Sequence, residues 1–239
     1  MTPRTCVMRD AWITLGLLAL LVLWDVLGLD LAVVRRFGTA EGFAWRDAWL
    51  TRQVLHEGGR ALAWLTLAAV VLDTWRMKLT GPHRREKLYW VGVMLVCLLL
   101  VPALKRLSQT SCPWDLAEFG GSAHYVSHWL WGVPDGGPGH CFPSGHGVAA
   151  FAFLGLYFLW RPHRPQAARR VLVGVWVVGS LFGMAQLLRG AHYPSHTFWS
   201  AWLCWAICAT ASAWRHRNRL ARRQAPDLPF VQNQGKNQA

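Results

Sequence analysis

Apolar residues in this chain gather in long runs separated by short basic segments. Six runs stand out, near 11–30, 60–76, 88–104, 147–160, 171–188 and 197–214. The first extends from Ala11 through Leu21, Val22 and Leu23 to Leu29, broken internally by Asp25 alone. A bilayer core about 30 Å thick takes about 20 consecutive apolar helical residues. The pattern therefore predicts an all-α, polytopic membrane protein, a bundle of six transmembrane helices. The fourth and sixth runs are short, and a helix buried in a core is their alternative reading. Asp25 and Asp73 fall within runs, where charge is costly, so both are expected to face protein or an interface.

Charge settles the orientation. The 239 residues are 53% hydrophobic and 15% charged, with 25 Lys+Arg against 12 Asp+Glu and a pI near 10.4. That apolar content excludes a disordered chain, and long runs rather than thin amphipathic stripes argue against a soluble basic domain. Most of the basic residues sit on one side. Arg4 and Arg9 precede run one; Arg76, Lys78, Arg84, Arg85 and Lys87 separate runs two and three. Arg161, Arg164, Arg169 and Arg170 separate runs four and five, and Arg215, Arg217, Arg219, Arg222, Arg223 and Lys236 follow run six. The positive-inside rule makes that side cytoplasmic, with both termini inside. Trp75, Trp90, Trp160 and Trp214 flank the same segments, as an aromatic belt would. The basic excess thus reports topology and attraction to anionic lipid rather than nucleic-acid binding. Run one is too long for a signal peptide and reads as an uncleaved anchor. The expected membrane domain covers 1–223, and 224–239 reads as a disordered cytoplasmic tail.

The outer loops carry the candidate chemistry. Residues 31–59 look amphipathic and predict a helix in the interface plane, with His56 and Glu57 as surface residues. Residues 105–146 form a long loop rich in Gly, His, Trp and Pro, of a length usually functional. His124, His128 and His140 read as rim residues there, and Trp114, Trp129 and Trp131 as packing. Residues 189–196 form a short loop. Four features meet at this face: Lys105 where run three ends, Pro143-Ser144-Gly145-His146 where run four begins, Arg189 where run five ends, and His192 before run six. A phosphate wants fixed positive charge, backbone N–H donors and a helix N-terminus. Ser144 suits an N-cap and Gly145 allows close backbone approach. Lys105 and Arg189 supply cations, and two histidines can divide attack on phosphorus from protonation of the leaving oxygen. No Asp/Glu cluster suggests a divalent metal.

From Lys105 to Ser200 the chain resembles the type 2 phosphatidic acid phosphatase family, membrane lipid phosphatases related to vanadium haloperoxidases. The family's motifs are a Lys with Arg-Pro seven residues on, Pro-Ser-Gly-His, and Ser-Arg, five residues, His, three residues, Asp. The second is intact as Pro143-Ser144-Gly145-His146. The resemblance implies an extracytoplasmic active-site loop, His192 as nucleophile through a phosphohistidine, and His146 as general acid. It also implies phosphate binding by Lys105, Ser144 and Gly145, and no metal cofactor. Three positions depart: Cys112-Pro113 replaces Arg-Pro, Gln186 stands where the motif Arg would be, and His196 where its Asp would be. Arg189, one turn beyond Gln186, is expected to replace the guanidinium; Arg106 is a partial substitute for the other. His196 or Asp115 is expected to orient His192.

Cys6, Cys97, Cys204 and Cys208 fall in or at the inner ends of runs and read as buried hydrophobes. Cys112 and Cys141 share the outer loop. A disulfide is favoured there; free thiols, or zinc held with His140, are the alternatives. The expected function is hydrolysis of a phosphate monoester or diphosphate on a lipid headgroup, with lipid A, undecaprenyl diphosphate, phosphatidic acid and phosphatidylglycerophosphate as candidates. The alternatives are a lipid-to-lipid phosphotransferase and a non-catalytic membrane protein with the same fold. The expected location is a bacterial inner membrane with the site facing the periplasm. The expected partners are the bilayer and the lipid phosphate, with no nucleic acid and no obligate protein.

Overall fold

The computed structural model describes residues 3–77 and 79–224. Lys78 and the expected tail beyond Gln224 lie outside the described residues. Each apolar run lies in helix: α1 (Pro3–Val26), α3 (Gly59–Arg76), α4 (Arg84–Leu107), α5 (Gly145–Phe151) with α6 (Leu154–Trp160), α7 (Pro165–Leu188) and α8 (Pro194–Gln224), while the short α2 (Leu29–Val34) follows α1. Arg4–Val26, Arg84–Leu107 and Pro165–Leu188 are long and apolar enough to cross a membrane. Their outward faces are apolar, with Trp12, Leu20, Leu99 and Val173 exposed, as suits a lipid-facing surface.

The short fourth run is the middle of the bundle. Two short helices, α5 and α6, meet at Ala152-Phe153, and most of their residues are buried between α4, α7 and α8. Small residues let neighbours close in. A Cβ on Gly179 would meet the Phe151 ring at 2.3 Å, and one on Gly155 would meet Met94 at 2.7 Å. The main core gathers Trp90, Phe151, Leu154, Phe158 and Trp205 around this pair. Trp90 is therefore a core residue stacked on Phe158, not a belt residue. Trp75 and Trp214 are exposed as expected, and the Arg84 guanidinium lies over the Trp75 ring.

The described residues are mostly helical, as expected, with one small addition: Gly38–Thr39 (β1) and Gly42–Phe43 (β2) pair as an antiparallel hairpin. One expectation needs correction here, since residues 31–59 are not one interfacial helix. After the hairpin, Leu50–Gly58 winds as a π-helix that runs on into α3. The extra residue per turn re-aims the side chains of that segment, a feature common at functional sites. The two half-buried acids within the runs face protein, as expected. Asp25 accepts from the indole N–H groups of Trp129 and Trp199, and Asp73 pairs with Lys87 at 2.7 Å.

Candidate active site

Three local structures deliver the predicted residues to one end of the bundle. At the start of α5, Ser144 adopts an extended backbone and its hydroxyl accepts from the Gly147 N–H at 3.2 Å, a true N-cap. Its own N–H donates to the His196 carbonyl, and Ser200 donates to the Ser144 carbonyl, so the cap is tied to α8. Lys105 lies in the last turn of α4, its Nζ 4.0 Å from where a Gly145 Cβ would be. At the end of α7, the Gly190 N–H bonds to the Leu187 carbonyl and the Ala191 N–H to the Gln186 carbonyl, with Gly190 left-handed at φ 69. This is the Schellman pattern. It turns the chain so that Arg189 ends α7 and His192 follows three residues later. Gly190 also has a neighbour that forbids a side chain, since a Cβ would meet the Phe43 ring at 2.3 Å.

His192 is buried, with Nδ1 3.5 Å from Sγ of Cys141. Burial, reinforced by the positive charge of Lys105 and the neighbouring His196 and His146, holds its pKa well below 6.5. A neutral imidazole has a lone pair available. Arg189 is buried too; its Nε donates to the Arg46 carbonyl at 2.9 Å, and its guanidinium faces the Trp114 ring. Its charge is felt at His56 and His146. Lys105, His146, Arg189 and His192 therefore share one electrostatic neighbourhood. Arg106 is exposed.

Cys112 and Cys141 form a disulfide, their Cα atoms 5.2 Å apart, which disposes of the zinc reading for these two sulfurs. It joins the segment after Lys105 to the one before Ser144. The orienting roles foreseen for His196 and Asp115 are not what the contacts show. His196 Nδ1 bonds to the Cys141 carbonyl at 3.0 Å, and its ring meets that of His192 only edge-on, centroids 5.8 Å apart. Asp115 accepts from the Cys112 N–H and completes its own turn; burial raises its pKa.

The sequence reading took His56 for a surface residue. Its ring lies flat on that of His146, centroids 4.0 Å apart and 9° from parallel, and its carbonyl is 2.9 Å from His146 Nε2. A carbonyl only accepts, so Nε2 carries the proton and Nδ1 is left for exchange. Burial lowers the His56 pKa, although Glu57 bonds to its Nδ1 at 2.9 Å. His128 is also no rim residue. It lies 3.3 Å from Asp25, stacks on Phe142 and meets the edge of His196. Beside it Asp30 accepts from Trp24 and from the Ser195 N–H and hydroxyl. The buried acid in run one was the one signal for this layer; nothing local marked His56.

Comparison with known proteins follows from this geometry. A family model described as the PAP2 superfamily matches residues 86–220, which contain every predicted site residue. No curated protein matches the sequence significantly. Among solved structures, the chain is similar to one titled as the first transmembrane PAP2 type phosphatidylglycerolphosphate phosphatase from Bacillus subtilis. The identity is 16%, the TM-score 0.56, and the match covers 85% of this chain and 96% of that one. The shared fold, and a family match over more than half of the sequence, show that this chain belongs to the PAP2 superfamily.

Proposed function

We propose that the protein is a membrane lipid phosphatase that releases phosphate from a lipid headgroup through a covalent phosphohistidine. The observation that carries the reading is the meeting of two imidazoles, His192 and His146, with two cations, Lys105 and Arg189, at a capped helix N-terminus. Lys105, Arg189 and the first N–H groups of α5 hold the phosphate oxygens. With Nδ1 turned to Cys141, His192 attacks phosphorus through Nε2. The bond from phosphorus to the leaving oxygen breaks, and His146, which enters this step as the imidazolium favoured by the negative charge of the bound phosphate, keeps Nε2–H on the His56 carbonyl and gives its Nδ1 proton to that oxygen. Water then attacks the phosphohistidine, the N–P bond breaks, and the proton returns to His146. Arg189 stands in for the guanidinium missing at Gln186.

A lipid is favoured over a soluble ester by the surroundings. A cavity of about 370 Å³ between the outer ends of α4 and α8 is lined by Leu104, Leu107, Trp129, Leu130, Phe142 and Leu203. Phe142 immediately precedes the Pro143–His146 motif, so a chain in that cavity ends near the phosphate site. The positive-inside rule, applied to the basic segments, favours the non-cytoplasmic face for this site, periplasmic in a bacterial inner membrane. The test is phosphate release by purified protein from phosphatidic acid, phosphatidylglycerophosphate, undecaprenyl diphosphate and lipid A. His192→Ala and His146→Ala are the controls. The expected result is release from at least one lipid and its loss in both variants. Release that survives both substitutions overturns the mechanism.

A further inference from the structure

We propose that the opposite end of the bundle holds a second anion site, one that binds the phosphate-bearing headgroup of an anionic membrane lipid. A cavity of about 480 Å³ opens there among α1, α4, α6, α7 and α8, within the roughly 300–1,000 Å³ of ordinary ligand pockets. It is remote from His146 and His192. Glu86 at its rim and Lys105 stand 19 positions apart on α4, roughly 28 Å at the helical rise.

Five arginines line the cavity: Arg9, Arg161, Arg169, Arg215 and Arg219. Two carboxylates answer them. Asp10 takes both oxygens to Arg161 Nη1, at 2.9 and 2.8 Å, and also meets Arg9 at 3.5 Å. Glu86 meets Arg215 at 3.2 Å, Arg219 at 3.7 Å and His163 at 3.1 Å. These pairs account for the packing of the helix ends. Among the described residues the five guanidinium groups still outnumber these two carboxylates. Arg169 has no acidic partner among the described residues. Arg215 lies over the Tyr89 ring, 5.3 Å from its centroid, and its buried Nη1 has no hydrogen-bond partner among the described residues. Tyr157 and Ser212 add hydroxyls at the same wall, where they already bond Arg9 and Arg161. Val7, Trp90 and Phe158 make the other wall apolar.

A free phosphate would use the arginines but not that apolar wall. A lipid uses both, and basic pockets between helices at the cytoplasmic surface suit anionic headgroups. The inference stands apart from the catalytic reading, because none of these residues is in the His192 site.

The test is native mass spectrometry of the full chain in mild detergent, titrated with dioleoylphosphatidylglycerol, dioleoylphosphatidylcholine or inorganic phosphate. The wild type is expected to retain phosphatidylglycerol in preference to phosphatidylcholine. Arg169→Gln with Arg219→Gln should weaken that retention about thirtyfold. Arg169→Lys with Arg219→Lys should restore most of it, which separates lost charge from lost folding. Equal retention of the two lipids overturns the proposal, as does a Gln double variant that binds like the wild type. Displacement of phosphatidylglycerol by millimolar inorganic phosphate would show a site for the bare anion and overturn the lipid assignment.

Discussion

Arg189 and Gln186 lie one turn apart at the end of α7, and their environments divide the labour between them. Gln186 is buried; its carbonyl accepts from Ala191 and His192, and its Nε2 has no hydrogen-bond partner among the described residues. Of these two, only Arg189 brings charge to His146. Arg189→Ala is therefore expected to lower kcat/KM about 10- to 100-fold, the worth of one or two charged hydrogen bonds. Gln186→Ala should cost far less per folded molecule, and equal losses would refute the relocation of the guanidinium. His56 offers a separate test. His56→Ala removes the stacked ring but keeps the carbonyl on His146, and a loss of about 2- to 10-fold follows from the usual worth of an aromatic pair. His56→Phe keeps the ring and should recover most of that activity; if it behaves like Ala, the stack does not position His146. Protonation adds a third expectation. His192 and His56 are both held below 6.5, chiefly by burial. The unfolded chain takes up protons at these positions as the pH falls through about 6.5, while the folded chain stays neutral to lower pH. Stability must therefore drop from pH 7 toward pH 5, and His192→Gln should make the fall shallower in thermal melts.

Helices α4 and α5 are tied together outside the bundle by the Cys112–Cys141 link, which closes a separation of 29 residues. On the chain-entropy account a loop of this size is stabilised by about 3–4 kcal/mol. Cys141 also supports both histidines of the α7–α8 turn, through its sulfur and its carbonyl. Cys112→Ser with Cys141→Ser is thus expected to lower stability by that amount and to reduce activity as well. Denaturant melts and assays with and without reductant measure both; unchanged melts would refute the contribution. The N-cap at Ser144 and the break after α7 were readable in the sequence, because caps depend on residues within one turn. The π-helix at Leu50–Gly58 was not. Its apolar and polar residues alternate much as in an ordinary amphipathic helix, and the widened turn shows only when His56 meets His146.

Across the molecule, charge and chemistry occupy opposite ends. The basic segments, with Arg161 and Arg215, lie at one end, and Lys105, His146, Arg189 and His192 at the other. Labelling tests this orientation in intact cells. A membrane-impermeant maleimide should reach Ser122→Cys from outside, but Gln166→Cys only after permeabilisation. The reverse pattern would place the histidines in the cytosol and remove the basis of the proposed function.

Helix positions, the capped motif and the end of the bundle that bears the chemistry follow from neighbours in the chain. Apolar runs, caps and basic loops act over a few residues or through the bilayer, which reads only local hydropathy and charge. The partners of the buried groups follow from contacts between distant segments. His56 finds His146 across 90 positions, His128 finds Asp25 across 103, and His196 turns to Cys141 rather than His192. The His56 and Cys141 carbonyls satisfy buried ring nitrogens once the helices have packed, His128 reaches Asp25 only as a charge contact, and no local pattern records any of the three.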